Sequence, residues 1–322
     1  MRWAVAIVLA GGTTHAEVRV EDGLTVGAAY AGEVFTAPGL DEDRVVYAGL
    51  GSVALDLDLA KLAHDRLGAA HVVGFAIHGE GLTERLNEVL GVSNNVADEE
   101  VRLFEAWLDQ PLGPLVLRAG LLSADQEFIV ADSSTSLIAA TFGIIAMFSY
   151  NIETPVYPIA TPGASLRFED EISVRAAIYD GEAINVHGIP TELGDELLGM
   201  FEVGAGPLKL GAWHHTARKN GYYAVADREL GTTAGAFARL AVAPDTPMPL
   251  YIDAGVRYGL RERDALSLGL AFARSDVGAQ TLVELTYQAA VTKWLAIQPD
   301  LQLVLTREDT HGVLAARVIV AL

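Results

Sequence analysis

The chain has 322 residues, 51% of them hydrophobic, and a formal net charge of −20. That acidity argues against nucleic acid as a partner, because phosphates are bound by Lys and Arg, and the absence of cysteine excludes disulfides and thiolate metal sites. Mean hydropathy is +0.30, yet no run nears the roughly 18 apolar residues of a membrane helix, so the apolar content is finely divided.

The first residues, MRWAVAIVLAGGTTHAEV, carry a positive Arg2, an apolar run Trp3–Ala10 and a small-x-small site at Thr14-His15-Ala16. This reads as a secretory signal over 1–16, with Glu17 first in the mature chain, and leaves 17–322 as a single domain. Alternation and turn residues cut that domain into about sixteen strands. The first nine lie near 23–36, 43–60, 69–79, 99–109, 114–122, 157–169, 171–180, 196–205 and 206–217. The others lie near 221–227, 233–242, 249–260, 265–275, 280–290, 292–306 and 312–322.

Short turns fall at alternate junctions: PLGP at 111–114, EDE at 169–171, GP at 206–207, RERD at 261–264 and TK at 292–293. The long connections 80–98, 123–156 and 181–195 fall at the other junctions. Membrane barrels sort their connections this way, with tight turns on one rim and longer loops on the other.

Each strand has an apolar and a polar side. In 172–179, Ile172, Val174, Ala176 and Ile178 oppose Ser173, Arg175 and Tyr179; in 282–305, Glu284, Gln298, Asp300 and Gln302 oppose a leucine-rich set. An arginine facing lipid near the midplane costs about 2–4 kcal/mol. Arg118, Arg167, Arg175, Arg257 and Arg317 all fall on the less apolar side, which a barrel turns toward a wet lumen. The connection 123–156 then carries LIAATFGIIAMF at 137–148, too short to span a bilayer and too apolar for a solvated loop. It is expected to pack against the inside of the wall and narrow the pore. Tyr30, Tyr179, Tyr258 and Trp294, near strand ends, are candidates for interfacial girdles.

The stretches 91–134, 176–182, 208–216, 221–227 and 284–305 together resemble the carbohydrate-selective porin family, OprB type, of Gram-negative outer membranes. The most specific parts run from Glu105-Ala106-Trp107 to Arg118-Ala119-Gly120 and through QPDLQ at 298–302. The resemblance implies an all-β fold: a transmembrane antiparallel β-barrel of about sixteen strands whose long third outer loop folds into the lumen. It implies passive diffusion of mono- and oligosaccharides, an outer-membrane location, no cofactor, and a monomer or homotrimer among outer-membrane lipid and lipopolysaccharide, placed there by the barrel-assembly machinery. The pore-lining positions it implies are Glu105, Trp107, Arg118, Asp125, Glu127 and Asp132, with Arg175 and Trp213 in the wall; Arg167 and Arg257 join them from the alternation.

Those residue types suit a sugar. Carboxylates and guanidinium forks bind hydroxyls, and an aromatic ring covers the apolar face of the pyranose. Glu105 and Arg118 are alternatively a cross-strand ion pair that only shapes the lumen. His214-His215 cannot chelate one ion, because adjacent strand residues point to opposite faces. Ser133, Ser134 and Ser136 keep a barrel enzyme in view, beside a general non-selective diffusion porin and a closed structural barrel.

Overall fold

The computed structural model describes residues 17–39, 45–63, 67–152, 155–182, 193–217 and 220–321. The expected signal segment, 1–16, lies outside the described residues. The strands are β1 (Glu17–Glu21), β2 (Leu24–Thr36), β3 (Val46–Asp58), β4 (Ala69–Gly79), β5 (Glu100–Leu112), β6 (Leu115–Leu122), β7 (Thr161–Phe168), β8 (Ile172–Asp180) and β9 (Leu197–Ala205). They continue as β10 (Leu208–His215), β11 (Gly221–Leu230), β12 (Ala234–Val242), β13 (Leu250–Tyr258), β14 (Ala265–Ser275), β15 (Gly278–Ala290), β16 (Leu295–Leu305) and β17 (Thr310–Ala321).

From β2 onward every strand pairs antiparallel with the next, and β17 pairs back with β2 through Arg317↔Glu33. The sheet is therefore a closed barrel of sixteen strands, with no free edge to template aggregation. The short β1 is not a seventeenth stave. It pairs Val18↔Val26 on β2, just beyond the Ala321↔Ala29 pair where β17 stops, and so extends the line of β17.

The sixteen candidate strands match β2–β17 to within a few residues. The start of β7 shows the largest offset, 157 against Thr161. Apolar alternation runs on through Val156-Tyr157-Pro158-Ile159, but those residues still belong to the preceding connection, where the Tyr157 hydroxyl donates to the Asn95 carbonyl at 2.9 Å. The sorting of connections by length is clear in the first half, where 80–99 and 123–160 alternate with 113–114 and 169–171. It fades later: 276–277, between β14 and β15, is as tight as any turn on the opposite rim.

Alternation decides which way side chains face. Leu240, Leu268, Leu270, Leu301 and Leu303 are exposed on the outer face, whereas Arg239, Asp253, Glu284, Gln298, Gln302 and Arg317 are at most 2% exposed on the inner one. Tyr258 and Trp294 are exposed, as a girdle requires. Tyr179 corrects that grouping: it is 1% exposed and its hydroxyl reaches Glu127 Oε2 at 3.4 Å, as its register with Arg175 demands.

Candidate functional site

The connection 123–160 holds the greasy run singled out above. Leu137, Ile138, Phe142, Ile145, Met147 and Phe148 are all buried. The polar faces of the strands grip its backbone. Around the helical turn Ala140–Gly143 the grip follows the peptide dipole. Glu284 accepts the N–H groups of Ile138 at 2.5 Å and Ala139 at 2.9 Å. Arg239 donates to the carbonyls of Thr141 and Phe142 at 3.0 Å and of Gly143 at 2.9 Å. A carboxyl group sits at the donor end and a guanidinium at the acceptor end, where an isolated turn leaves both unsatisfied. Arg239 is itself held by Asp253, with its Nε 3.1 Å from each carboxylate oxygen. Further along, Gln298 donates to the Ser136 carbonyl at 2.7 Å and Lys209 to the Val130 carbonyl at 2.9 Å.

Between this connection and strands β4–β6 lies a cavity of about 440 Å³. Glu105, Trp107, Arg118, Asp125 and Asp132 line it, and so do residues the sequence reading passed over: His71, Ser93, Asn94 and Tyr157. Trp107 stands between its two neighbouring strands. His71 of β4 stacks on it with ring centroids 4.9 Å apart, and the Arg118 guanidinium of β6 lies 3.5 Å from its ring centroid. Its indole faces are thus occupied, and stacking a sugar flat on Trp107 requires displacing Arg118. The indole N–H is buried and has no hydrogen-bond partner among the described residues. Gly120, opposite Trp107, has φ +148°, and a Cβ there would lie 2.1 Å from the Ala106 carbonyl oxygen; only glycine fits this close approach.

The anticipated Glu105–Arg118 pair does not form. The register sets Asp109, not Glu105, opposite Arg118. Arg118 Nε and Nη2 reach the two oxygens of Asp109 at 2.7 and 3.0 Å, a bidentate fork. Glu105 instead accepts the backbone N–H of Ser123 at 2.8 Å, tethering the start of the connection. Behind Arg118 the charges interlock: Glu127 lies 3.2 Å from Arg118 and 3.8 Å from Arg167, and Arg167 also bonds Asp109. Desolvation pushes the Asp125 carboxyl above the usual carboxylate range, against the opposing bonds from Ser123 and the Tyr157 N–H. A carboxyl that protonates more readily can both donate to and accept from a solute hydroxyl.

Five of the expected pore residues do not line the cavity: Glu127 and Arg167, behind Arg118, and three that lie farther off. Arg175 is engaged by Glu169 at 2.8 Å and by the Glu127 carbonyl at 2.6 Å. Trp213 is a prop: it meets Phe148 edge-on at 5.3 Å and stacks with Tyr223 at 6.1 Å. Arg257 pairs with Glu229 at 2.7 Å near the end of β13. Of the three candidate serines, Ser133 has a buried Oγ with no hydrogen-bond partner among the described residues, and the other two are spent on packing. Ser134 Oγ donates to the carbonyls of Ala131 and Phe142, and Ser136 bonds Ser267. His214 and His215 face opposite ways, one exposed and one buried.

The sequence model of the family described as carbohydrate-selective porin, OprB family, matches residues 44–218 and 202–310. The high-pH structure of Pseudomonas putida OprB superposes with a TM-score of 0.82 at 15% identity, covering 93% of this chain and 94% of that one. The low-pH structure of the same protein gives 0.62 at 17% identity, with coverage of 93% and 92%. A multiply substituted porin from Rh. blastica gives 0.60 at 7% identity, with coverage of 92% and 99%. None of the curated proteins matches the chain.

Proposed function

Because the chain belongs to the carbohydrate-selective porin, OprB, family, we propose that the cavity beside Trp107 is the narrow part of the path along which its sugars pass. The protein is a β-barrel porin for the diffusion of carbohydrates, a channel rather than an enzyme, and an outer-membrane protein. In our reading the connection 123–160 folds into the lumen as a constriction. The observation that carries this is the set of polar inner-face residues, Glu284 and Arg239 above all, bonded to its backbone from the wall opposite β4–β6. The cavity left over offers a sugar donors on Arg118 and acceptors on Glu105, Asp125 and Asp132. The ion pairs of Arg118 and Arg167 with Asp109 and Glu127 pre-set those groups, so the site loses little entropy on meeting a solute.

Deleting 137–148 tests the constriction. Conductance of the assembled variant is expected to rise and its block by glucose to disappear; an unchanged pore contradicts a narrowing connection. The chain is further proposed to reach the membrane by way of a signal over 1–16. Mass analysis of the mature protein is then expected to find Glu17 first, and an intact Met1 in the native host overturns it.

A further inference from the structure

The other long connection, 80–99, enters the site so far only through Ser93 and Asn94 in the cavity lining. Its residues Leu82, Leu86, Leu90 and Val92 are each 1% exposed, in the same cluster as Phe142 and Phe148. Two sets of bonds converge on Ser93-Asn94-Asn95 within it. The first comes from the seam that closes the barrel, where Glu33 of β2 and Arg317 of β17 stand directly opposite each other and pair. Ser93 Oγ donates to Glu33 Oε2 at 2.6 Å, Asn95 Nδ2 donates to Glu33 Oε1 at 2.7 Å, and Arg317 Nη2 donates to Asn94 Oδ1 at 2.5 Å.

The second set ties the same residues to the constricting connection. The Asn94 N–H donates to the Ile138 carbonyl at 2.8 Å, and the Tyr157 hydroxyl donates to the Asn95 carbonyl at 2.9 Å. Just before them the backbones run side by side: Ala140 N–H to the Gly91 carbonyl at 2.8 Å and Thr141 N–H to the Leu90 carbonyl at 3.0 Å. Gly91 permits that approach. Its φ is +70°, and a Cβ on it would lie 2.7 Å from the Ala140 Cβ. Ser93 and Asn94 meanwhile line the cavity.

We propose that Ser93, Asn94 and Asn95 are positioning residues: a strut between the barrel seam and residues 137–157 that sets the width of the sugar path. This rests on the narrowing role given to 123–160 above. The physical case is one of matched groups. The buried Glu33–Arg317 pair is costly to leave with unused hydrogen-bonding capacity. The strut supplies two donors to the carboxylate and one acceptor to the guanidinium, so the pair and the strut stabilise each other. Three short polar side chains also reach the seam with little rotamer entropy to lose, which makes the strut stiff.

The test is single-channel conductance in planar bilayers, with glucose as the blocking solute, on variants whose barrels assemble normally by heat-modifiable gel mobility. Asn94→Ala removes the Arg317 acceptor and leaves every strand intact. It is expected to raise conductance and to increase the glucose concentration for half-block by about tenfold. Asn94→Asp keeps an acceptor for Arg317 and loses only the long Nδ2 bond to the Leu137 carbonyl at 3.4 Å; it is expected to recover most of the narrow, glucose-blocked pore, a rescue that a general packing defect would not show. Conductance and block unchanged in Asn94→Ala, while deletion of 137–148 widens the pore, overturn the strut and leave the constriction standing. Both variants unchanged overturn the constriction and the strut with it. Should Asn94→Ala not assemble, Ser93→Ala takes its place, removing one bond to Glu33; a widened pore supports the strut and an unaltered one overturns it.

Discussion

Replacing Arg239 by alanine is expected to cost about 3–5 kcal/mol of barrel stability and to open the pore. Arg239 and Asp253 are 1% and 0% exposed as side chains. Removing the guanidinium strands the buried Asp253 carboxylate, with the Tyr251 hydroxyl at 2.9 Å the one side-chain donor left to it among the described residues. It also takes a donor from the carbonyls of Ile129, Thr141, Phe142 and Gly143 at once, of which Thr141 and Phe142 keep the hydroxyls of Tyr251 and Ser134. Urea unfolding of the refolded protein in lipid vesicles reads the first effect and bilayer conductance the second. A double variant, Arg239→Met with Asp253→Leu, is expected to recover much of the stability, because it leaves no unpaired charge, while the pore stays wide. A loss under about 1 kcal/mol in Arg239→Ala, with unaltered conductance, would sink the anchoring role.

Arg118→Ala is expected to leave the barrel assembled and to change what passes through it. Asp109 and Glu127 keep Arg167, so neither carboxylate is abandoned. What is lost is the fork on the cavity wall and the cation over Trp107. Sugar affinity, read as the glucose concentration for half-block, is expected to fall about tenfold, near 1.4 kcal/mol. Arg118→Lys is not expected to restore it, because an ammonium cannot hold Asp109 with two parallel bonds while lying flat on the indole. Full retention of sugar block in Arg118→Ala would make the residue purely structural.

The wall of this barrel was open to reading because a strand repeats every two residues. The side of the strand on which Arg118, Arg167, Arg175 and Arg317 stand could be read from their neighbours alone, and the burial of 137–148 from its length and greasiness. Partners within one hairpin were also within reach. The Leu112↔Leu115 pair at the Gly113 turn fixes Asp109 opposite Arg118, and counting back from that turn would have replaced the Glu105–Arg118 pairing. What no local pattern carries is which inner-face residue meets which connection. Arg239 and Thr141, Gln302 and Val92, and Trp213 and Phe148 are far apart in the chain and meet only because the barrel closes. Trp213 looked like a wall residue for a solute for the same reason: its inward direction was legible, and the side chain waiting there was not. Ser93-Asn94-Asn95 carries only the polarity common to surface loops, and its role depends on a seam made by strands from the two ends of the chain.

The most direct test of the account is planar-bilayer conductance of the purified protein with glucose, maltose and an unrelated neutral solute added in turn. The account predicts discrete current steps that the sugars block in a concentration-dependent way and the unrelated solute does not. Steps that respond alike to all three would contradict a sugar-fitted constriction and leave a general diffusion pore in the same barrel.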